Sequence, residues 1–465
     1  MQESILCLFG ATPPLELSKD IIVYFCDQES SPCEGDGPYV IHMTKDVCDF
    51  ALFGKFCERF AFASFAFVIA STCVEEAWMH RFISRLQEIQ WHAFLRASQW
   101  EDFGIGVFRN LWKNRMLTHI DRTSWQSLKG TFLGVPAWIC GAGPSLSKNL
   151  ALLQSMQGKS LCMTGGAAYA LLKQHNIDVD IALGLDSSFS LGCDVKASSC
   201  FFFQERFHHD NLQHVLGPRF ALPGNPGHAL EEWFSDGMLF DGGWTVVTLG
   251  IALAKHLGCD PIVLIGADFA ASVDSASLYV QGANAQDKEG VIHEGVLAKK
   301  EWVLAARWLE DFIERHPQSS FYRASEDGLF IRGVQPYSSA AIPSTCLDVK
   351  ERLLQMQTCW QPSEDQGKLL LFQESVERCA QYLDEMLKLF GQTYPKSPVE
   401  LGSFIVMQVE FENEFFYHLV LQPLWQVWQY PLQASFQPAY TLQKILMWQR
   451  VLCAYQEVMT CSILS

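Results

Sequence analysis

A chain of 465 residues, of which 49% are hydrophobic and 13% aromatic, has room for two or three domains with buried cores, which excludes a disordered protein. A formal net charge of -17 and a pI near 5.2 exclude non-specific binding to nucleic acids or anionic membranes, because both need a basic surface. The 16 cysteines include no C-x-x-C pair and follow no leader peptide, so we expect reduced thiols in a cytoplasmic protein.

The amino-terminal segment, residues 1–130, has the pattern of a smaller α/β domain. An apolar strand begins at Ser4, a second spans Ile21 to Phe25, and the pattern from about Asp46 to Trp125 is helical. The apolar run from Phe60 to Cys73 is about fourteen residues long, which is too short to cross a bilayer. We therefore predict no transmembrane segment.

Residues 131–345 predict a central nucleotide-binding domain with a parallel sheet. Its first strand leads into the sequence GAGPSL, in which Gly141, Gly143 and Ser145 surround the start of a helix at Pro144. Backbone N–H groups at a helix start point outward and favour an anion. We predict that this turn binds a phosphate group.

The order of strand, glycines and helix then recurs. A strand to Met163 leads into Thr164 and Gly166, and after a helix the next strand ends at Asp186. We predict that Thr164 and Gly166 bind the same ligand. For Asp186 two roles stay open: a ligand-binding or catalytic carboxylate, or a cap on the following turn.

A second glycine-led helix follows at Gly242, Gly243 and Thr245 and stops at Gly258. The buried strand after it ends near Asp268. In open α/β sheets the ligand binds outside the carboxyl ends of the strands. We therefore expect these residues to meet the first turn at one edge of the sheet.

Four histidines lie between the two glycine-led regions. His208, His209 and His214 lack partners at the spacing of metal ligands, which favours surface or packing roles, so we predict no metal site. His228 lies in a loop-like PGNPGH stretch just before the Gly242 helix. Its position is the most suitable of the thirteen for a general base.

A polar stretch of small residues from Ala271 to Gly295 is typical of a lid or binding loop, in which Tyr279, Gln281, His293 and Glu294 are candidate substrate contacts. A helix from about Lys299 to Arg315 and a hairpin around Asp327 close the domain. Residues 346–465 are rich in Trp and Phe at helical spacing, which predicts a helical domain or a homo-oligomer surface.

The central stretch resembles the motility-associated-factor (Maf) glycosyltransferase family. The motifs that match, in order, are GAGPSL, IALGLD, DGGWTV and LGCDPIVLIGADFA, and the likeness covers about residues 131 to 340. That family is similar to bacterial sialyltransferases and shares its core with archaeal hydroxymethylpterin pyrophosphokinases. The resemblance implies an α/β protein with a central Rossmann-like domain, a smaller amino-terminal α/β domain that is also Rossmann-like, over residues 1–130, and a carboxyl-terminal helical domain.

The same resemblance implies a function. A CMP-activated nonulosonic acid would be the donor, a protein or glycan hydroxyl the acceptor, and no further cofactor would be required. The sialyltransferases carry an Asn at the position of Ala142 and another after the second strand, where this chain has Thr164, Gly165 and Gly166. Backbone N–H groups would therefore hold the phosphate here, with His228 as the base.

Two alternatives stay open. In a pterin- or thiamine-type pyrophosphokinase, Asp186 and Asp268 would hold Mg²⁺ beside ATP, although such enzymes bunch acids where this chain has one. A non-catalytic scaffold would keep the fold and use the aromatic tail for a partner.

Overall fold

The computed structural model describes residues 4–9, 21–25, 50–61, 63–69, 76–188, 194–226, 228–271, 278–280, 290–293, 295–325, 327–338, 349–362, 366–390, 397–424 and 438–463. The chain divides into two compact units, Met1–Phe103 with Gln422–Thr441 and Gly104–Leu421 with Leu442–Ser465. The second unit holds both the central sheet and most of the carboxyl-terminal helices. The division into three domains at residues 130 and 345 stays a prediction.

The first unit contains a small parallel sheet with the strand order β2-β1-β3. Its strands are β1 (Ser4–Phe9), β2 (Ile21–Phe25) and β3 (Ser64–Ile69). The helix α1 (Phe50–Arg59) precedes β3, and α2 (Glu76–Met116) begins in this unit and ends in the second. The helical prediction is wrong at β3, where Phe65 and Phe67 are less exposed than Ser64 and Ala66, the two-residue period of a strand.

The second unit is built on a parallel sheet of eight strands in the order β13-β12-β9-β4-β5-β6-β7-β8, which confirms the predicted α/β class. Its strands are β4 (Ala137–Cys140), β5 (Leu161–Gly165), β6 (Ile181–Gly184), β7 (Cys200–Gln204), β8 (Arg219–Leu222), β9 (Ile262–Ile265), β12 (Phe321–Arg323) and β13 (Gln335–Pro336). The central strands are buried along their whole length, as expected for a sheet covered on both faces.

Helices connect these strands, and a short antiparallel pair, β10 (Val291–His293) and β11 (Val296–Ala298), follows β9. The helices are α3 (Leu150–Met156), α4 (Ala167–Gln174), α5 (Ala229–Phe234), α6 (Val246–His256) and α7 (Lys300–Arg315). In α6, a Cβ at Gly250 would lie 2.9 Å from Leu183 and 3.1 Å from Ile139, so the missing side chain lets this helix pack closely on the sheet.

Two parts of the sheet differ from the sequence interpretation. The sequence pattern did not predict β7 (Cys200–Gln204) or β8 (Arg219–Leu222), the last two strands at one end of the sheet. The hairpin predicted around Asp327 is wrong, because β12 and β13 pair in parallel. Two parallel neighbours cannot be joined by a tight hairpin turn.

The remaining helices confirm the helical carboxyl-terminal region. They are α8 (Val349–Thr358), α9 (Gln366–Phe390), α10 (Pro398–Glu412) and α11 (Pro438–Ile463), with a π-helical turn at Tyr417–Leu421. Aromatic rings join them: Phe372 of α9 contacts Phe416, and Phe416 contacts Tyr455 of α11. These rings are buried, so much of the aromatic content of this region packs its own core.

Candidate functional site

The predicted glycine turns lie at one edge of the eight-stranded sheet. Cys140 at the end of β4 pairs with Thr164 of β5 and with Ile265 of β9, and Gly165 pairs with Leu183 of β6. Since these neighbouring strands are parallel and in register, the residues that follow them emerge at the same edge. The structure therefore brings together the turns that contain Gly141, Gly166, Asp186 and Asp268.

The second glycine-led helix starts at this edge too. A Cβ on Gly141 would lie 3.0 Å from Cγ2 of Val247, and a Cβ on Gly165 would lie 2.6 Å from Cγ1 of Val246. The two valines are the first residues of α6. The glycines thus leave the space that the start of α6 occupies, and Gly242, Gly243 and Thr245 directly precede it.

Asp268 holds the first turn. Its carboxylate accepts hydrogen bonds from the backbone N–H of Ser145, at 2.7 Å, and from the Ser145 hydroxyl. Gly143 donates its N–H to Gly266, at 2.7 Å. Asp268 is buried, and burial raises the pKa of its carboxyl group although the Ser145 hydrogen bonds oppose that rise. The carboxylate therefore occupies the place at which a helix start would receive an anion.

Side chains also hold the second turn. Asn225 accepts a hydrogen bond from the N–H of Gly242 at 2.9 Å and donates to the carbonyl of Gly243 at 2.7 Å. Asp241 accepts from the N–H of Gly243 at 3.2 Å. The helix α6 has its own capping box, in which Thr245 and Thr248 exchange side-chain and backbone hydrogen bonds. A phosphate would have to displace these groups to use the predicted N–H donors.

The start of α4 differs from the other two. Its first flanking residue is Gly166, with φ 54°, and a glycine has no side chain with which to cap the helix. Thr164, predicted to bind the ligand, is buried and donates its hydroxyl to the carbonyl of Cys140 at 2.8 Å. At this edge the N–H of Ser145, in the 3-10 turn Pro144–Asn149, and the N–H of Gly242 donate to side chains, whereas the residue that flanks α4 is a glycine and brings no capping side chain of its own.

Asp186 follows β6 and is exposed. Its carboxylate accepts hydrogen bonds from the N–H of Ser188 at 2.9 Å and from the Ser188 hydroxyl at 2.8 Å. Its carbonyl accepts from the N–H of His208 at 3.0 Å. Asp186 thus makes the contacts of the second predicted role, a cap on the following turn, at an exposed position that a ligand can reach.

His228 flanks the start of α5 and is half-buried. Its Nδ1 lies 2.9 Å from Nη2 of Arg206, which also pairs with Glu231 at 2.5 Å. A guanidinium group has no acceptor, so Nδ1 accepts and the neutral ring carries its proton on Nε2. Acting as a base from Nε2 would require that hydrogen bond to break. The general-base role of His228 stays a prediction with this condition attached.

The histidines for which no metal was predicted lie close together. The possible ligand atoms of His208, His209 and Asp210 are all within 4.8 Å of one another, and the two imidazole rings stack at 4.8 Å. Burial lowers the pKa of His209 to about 4 and also lowers the pKa of His208. His214 does not join them and bonds to Asp194 at 2.9 Å.

The comparisons with known proteins agree with this architecture. Residues 110–274 match the family model described as 6-hydroxymethylpterin diphosphokinase MptE-like. A Maf glycosyltransferase from Magnetospirillum magneticum AMB-1 is similar in structure, with a TM-score of 0.50 and 14% sequence identity over 91% of this chain and 69% of that chain. Residues 110–274 are thus similar to the MptE-like family model, and the fold is similar to that of a Maf glycosyltransferase. No curated protein sequence matches it.

Two residues near the candidate site were missed by the sequence interpretation. Arg206 and Asn225 lie in stretches that were singled out for their histidines, yet neither was named as a site residue. Their roles depend on partners about twenty residues away, which no local pattern reveals. An Asn between two prolines in a predicted turn was the available signal for Asn225.

The predicted lid lies over the first turn in the part that the structure describes. The N–H of Val280 donates to the carbonyl of Ala142 at 2.9 Å, and the hydroxyl of Tyr279 accepts from Nζ of Lys299 at 2.7 Å. Lys299 is 6% exposed and its ammonium group also lies 5.0 Å from the ring centre of Trp302. His293 is buried, and the other two predicted contacts, Gln281 and Glu294, lie outside the described residues.

Among the helices of the described ranges, none combines the length and the apolar character needed to pass through a bilayer.

Proposed function

We propose that this protein is a glycosyltransferase that takes its sugar from a nucleotide-sugar donor at the carboxyl edge of the eight-stranded sheet. The observation that carries the proposal is the arrangement of this edge. Gly141 and Gly165 leave room for the start of α6, and the N–H of Val280 donates to the carbonyl of Ala142. The Maf-like fold supports the same class of reaction, since the structural neighbour is a glycosyltransferase.

The donor phosphate would contact the first turn of α4, beside Gly166. The N–H groups of Ser145 and Gly242 already have protein acceptors, whereas the residue that flanks the start of α4, Gly166, has no side chain with which to cap the helix. The positive end of the helix would stabilise the charge that develops on the leaving phosphate. Following the sialyltransferase resemblance, we infer a CMP-activated nonulosonic acid as donor and a protein or glycan hydroxyl as acceptor.

His228 would act as the general base. It would take the proton of the acceptor hydroxyl while that oxygen bonds to the anomeric carbon and the bond to the CMP phosphate breaks. Base catalysis contributes about 10²- to 10⁴-fold, so His228→Ala should lower turnover by that factor while CMP binding stays nearly constant. Unchanged turnover would remove His228 from the mechanism.

The donor site can be tested without knowing the acceptor. A ligand at 100 times its dissociation constant stabilises a protein by about 2.7 kcal/mol, so CMP should raise the melting temperature of the purified chain. Ala142→Asp places a carboxylate in the half-buried first turn and should abolish the stabilisation by CMP. Ala151→Asp makes the same change at an exposed position of α3 and should leave it intact.

One observation favours a second candidate. The match of residues 110–274 to the 6-hydroxymethylpterin diphosphokinase MptE-like model supports transfer of a diphosphate from ATP with Mg²⁺. The carboxylates available for the metal are those of Asp186 and Asp268, which bond to Ser188 and Ser145. Stabilisation by ATP with Mg²⁺ but not by CMP would favour this candidate, and no stabilisation by either would favour a non-catalytic scaffold.

A further inference from the structure

We propose that His208, His209 and Asp210 bind a divalent transition-metal ion of the Zn²⁺ type. Two imidazoles and one carboxylate are a ligand set that suits Zn²⁺, Ni²⁺ and Fe²⁺ and leaves positions open for water or a substrate oxygen. Nδ1 of His208 accepts the backbone N–H of Asp210 at 3.3 Å, so His208 would have to give up this long hydrogen bond to join the metal ion. The three residues follow β7, next to Asp186 at the same edge of the sheet as the candidate donor site. The proposal does not depend on the glycosyltransferase reaction.

A buried asparagine orients His209 as metal-binding histidines are oriented. Nδ1 of His209 lies 2.9 Å from Oδ1 of Asn110, an atom that only accepts, so the ring proton is on Nδ1 and the lone pair is on Nε2. The amide of Asn110 cannot be reversed, because its nitrogen donates to the carbonyls of Ser187 at 2.9 Å and Arg206 at 3.1 Å. Asn110 is 2% exposed.

The distance between two of the ligand atoms fits a metal ion. Nε2 of His209 lies 3.1 Å from Oδ1 of Asp210. Two atoms that are both about 2.0–2.2 Å from one zinc ion, at an angle of about 90–109°, are separated by roughly 3.0–3.4 Å. With the lone pair on Nε2, two acceptors face each other at this distance, an arrangement that repels until a cation joins them.

A cation of the protein already lies there. Nζ of Lys113 is 3.1 Å from Nε2 of His209, so the ammonium donates to the lone pair that a metal ion would use. Lys113 is on α2, one turn from Asn110, and its long side chain can turn away when a metal ion binds. The lysine and the metal ion therefore compete for one position, and this competition separates a specific site from chance binding by histidines.

The test is a Zn²⁺ titration of the metal-stripped full-length chain against a chromophoric chelator, with Co²⁺ absorption as a spectroscopic readout of the ligands. The wild-type chain should bind one Zn²⁺ ion. His209→Ala should bind it at least about tenfold more weakly. Lys113→Met should bind Zn²⁺ about fivefold more tightly or better, since it removes the competing charge. His214→Ala is the matched control and should behave as the wild type.

Three results would overturn the proposal. They are equal Zn²⁺ uptake by the wild type and His209→Ala, weaker binding by Lys113→Met, and a Co²⁺ spectrum that His209→Ala does not change. The lysine variant keeps its helix and the buried Asn110, so it reports on the site even if the histidine variant is unstable.

Discussion

Gly143→Ala tests how closely the first turn, which contains Gly143, packs against the end of β9. The backbone of Gly143 has φ -68° and ψ 161°, a conformation that alanine adopts without strain, so the substitution has a purely steric effect. A Cβ there would lie 2.6 Å from both Oδ2 of Asp268 and the carbonyl oxygen of Gly266, well inside the 3.4 Å at which ordinary van der Waals contact begins. The carbonyl is part of the backbone, so side-chain rotation alone cannot relieve the clash.

The cost has two parts. Overpacking a well-packed site costs about 1–3 kcal/mol. Moving Asp268 away would also weaken its hydrogen bonds to Ser145, and bonds to a charged group are worth about 1.5–3 kcal/mol each. A loss of about 3–5 kcal/mol in the free energy of unfolding follows. At roughly 2 °C per kcal/mol for a domain of this size, the melting temperature should fall by about 6–10 °C.

Thermal unfolding followed by circular dichroism is the assay, with Gly402→Ala as the matched control. A Cβ at Gly402 in α10 would meet no atom within 4 Å, and alanine there should stabilise the helix by about 0.5–1 kcal/mol. If Gly143→Ala melts at the wild-type temperature, the turn does not contact β9 as described. Such a result would also weaken the assignment of Asp268 as the group that holds the turn.

Two further predictions concern charged groups in the second unit. Glu205 pairs with Arg115 at 2.5 Å and with Arg122 at 2.9 Å, so Glu205→Ala leaves two guanidinium groups without their carboxylate and should cost about 3–5 kcal/mol in chemical denaturation. Asp178→Ala, which breaks the exposed ion pair with Lys196, should lower the free energy of unfolding by less than about 1 kcal/mol. Equal losses in the two variants would refute the distinction between buried and exposed ion pairs. Burial raises the pKa of Asp180 to about 6. Its protonated form therefore contributes fully to the free energy of unfolding below pH 4, and this contribution is lost as the pH rises through 6. Asp180→Asn should therefore be more stable than the wild type by up to about 3 kcal/mol at pH 7.5, and nearly as stable as the wild type at pH 4. An equal difference at both pH values would show that the raised pKa of Asp180 is not the cause.

The sequence predicted those elements whose pattern is local. The strands on either side of Gly141 and the helices α4, α6 and α7 were found because glycine and proline mark their ends. It did not predict β7, whose apolar run of three phenylalanines gives no period, or the parallel pairing of β13. A continuous apolar run fits a buried helix as well as a buried strand, and a pairing partner lies too far along the chain for any local pattern to identify.

The candidate site shows the same limit at the level of single atoms. The sequence places glycines and helix starts at the correct edge, but whether an N–H group can bind a ligand depends on which acceptors fold next to it. Asp268 reaches Ser145 across 123 residues, and Asn225 reaches Gly242 across 17. These side chains already accept from the donors that the glycine pattern suggested. The N–H groups at the start of α4 therefore matter most for the proposed function, because they combine the predicted position with a flanking glycine, which has no side chain with which to cap the helix.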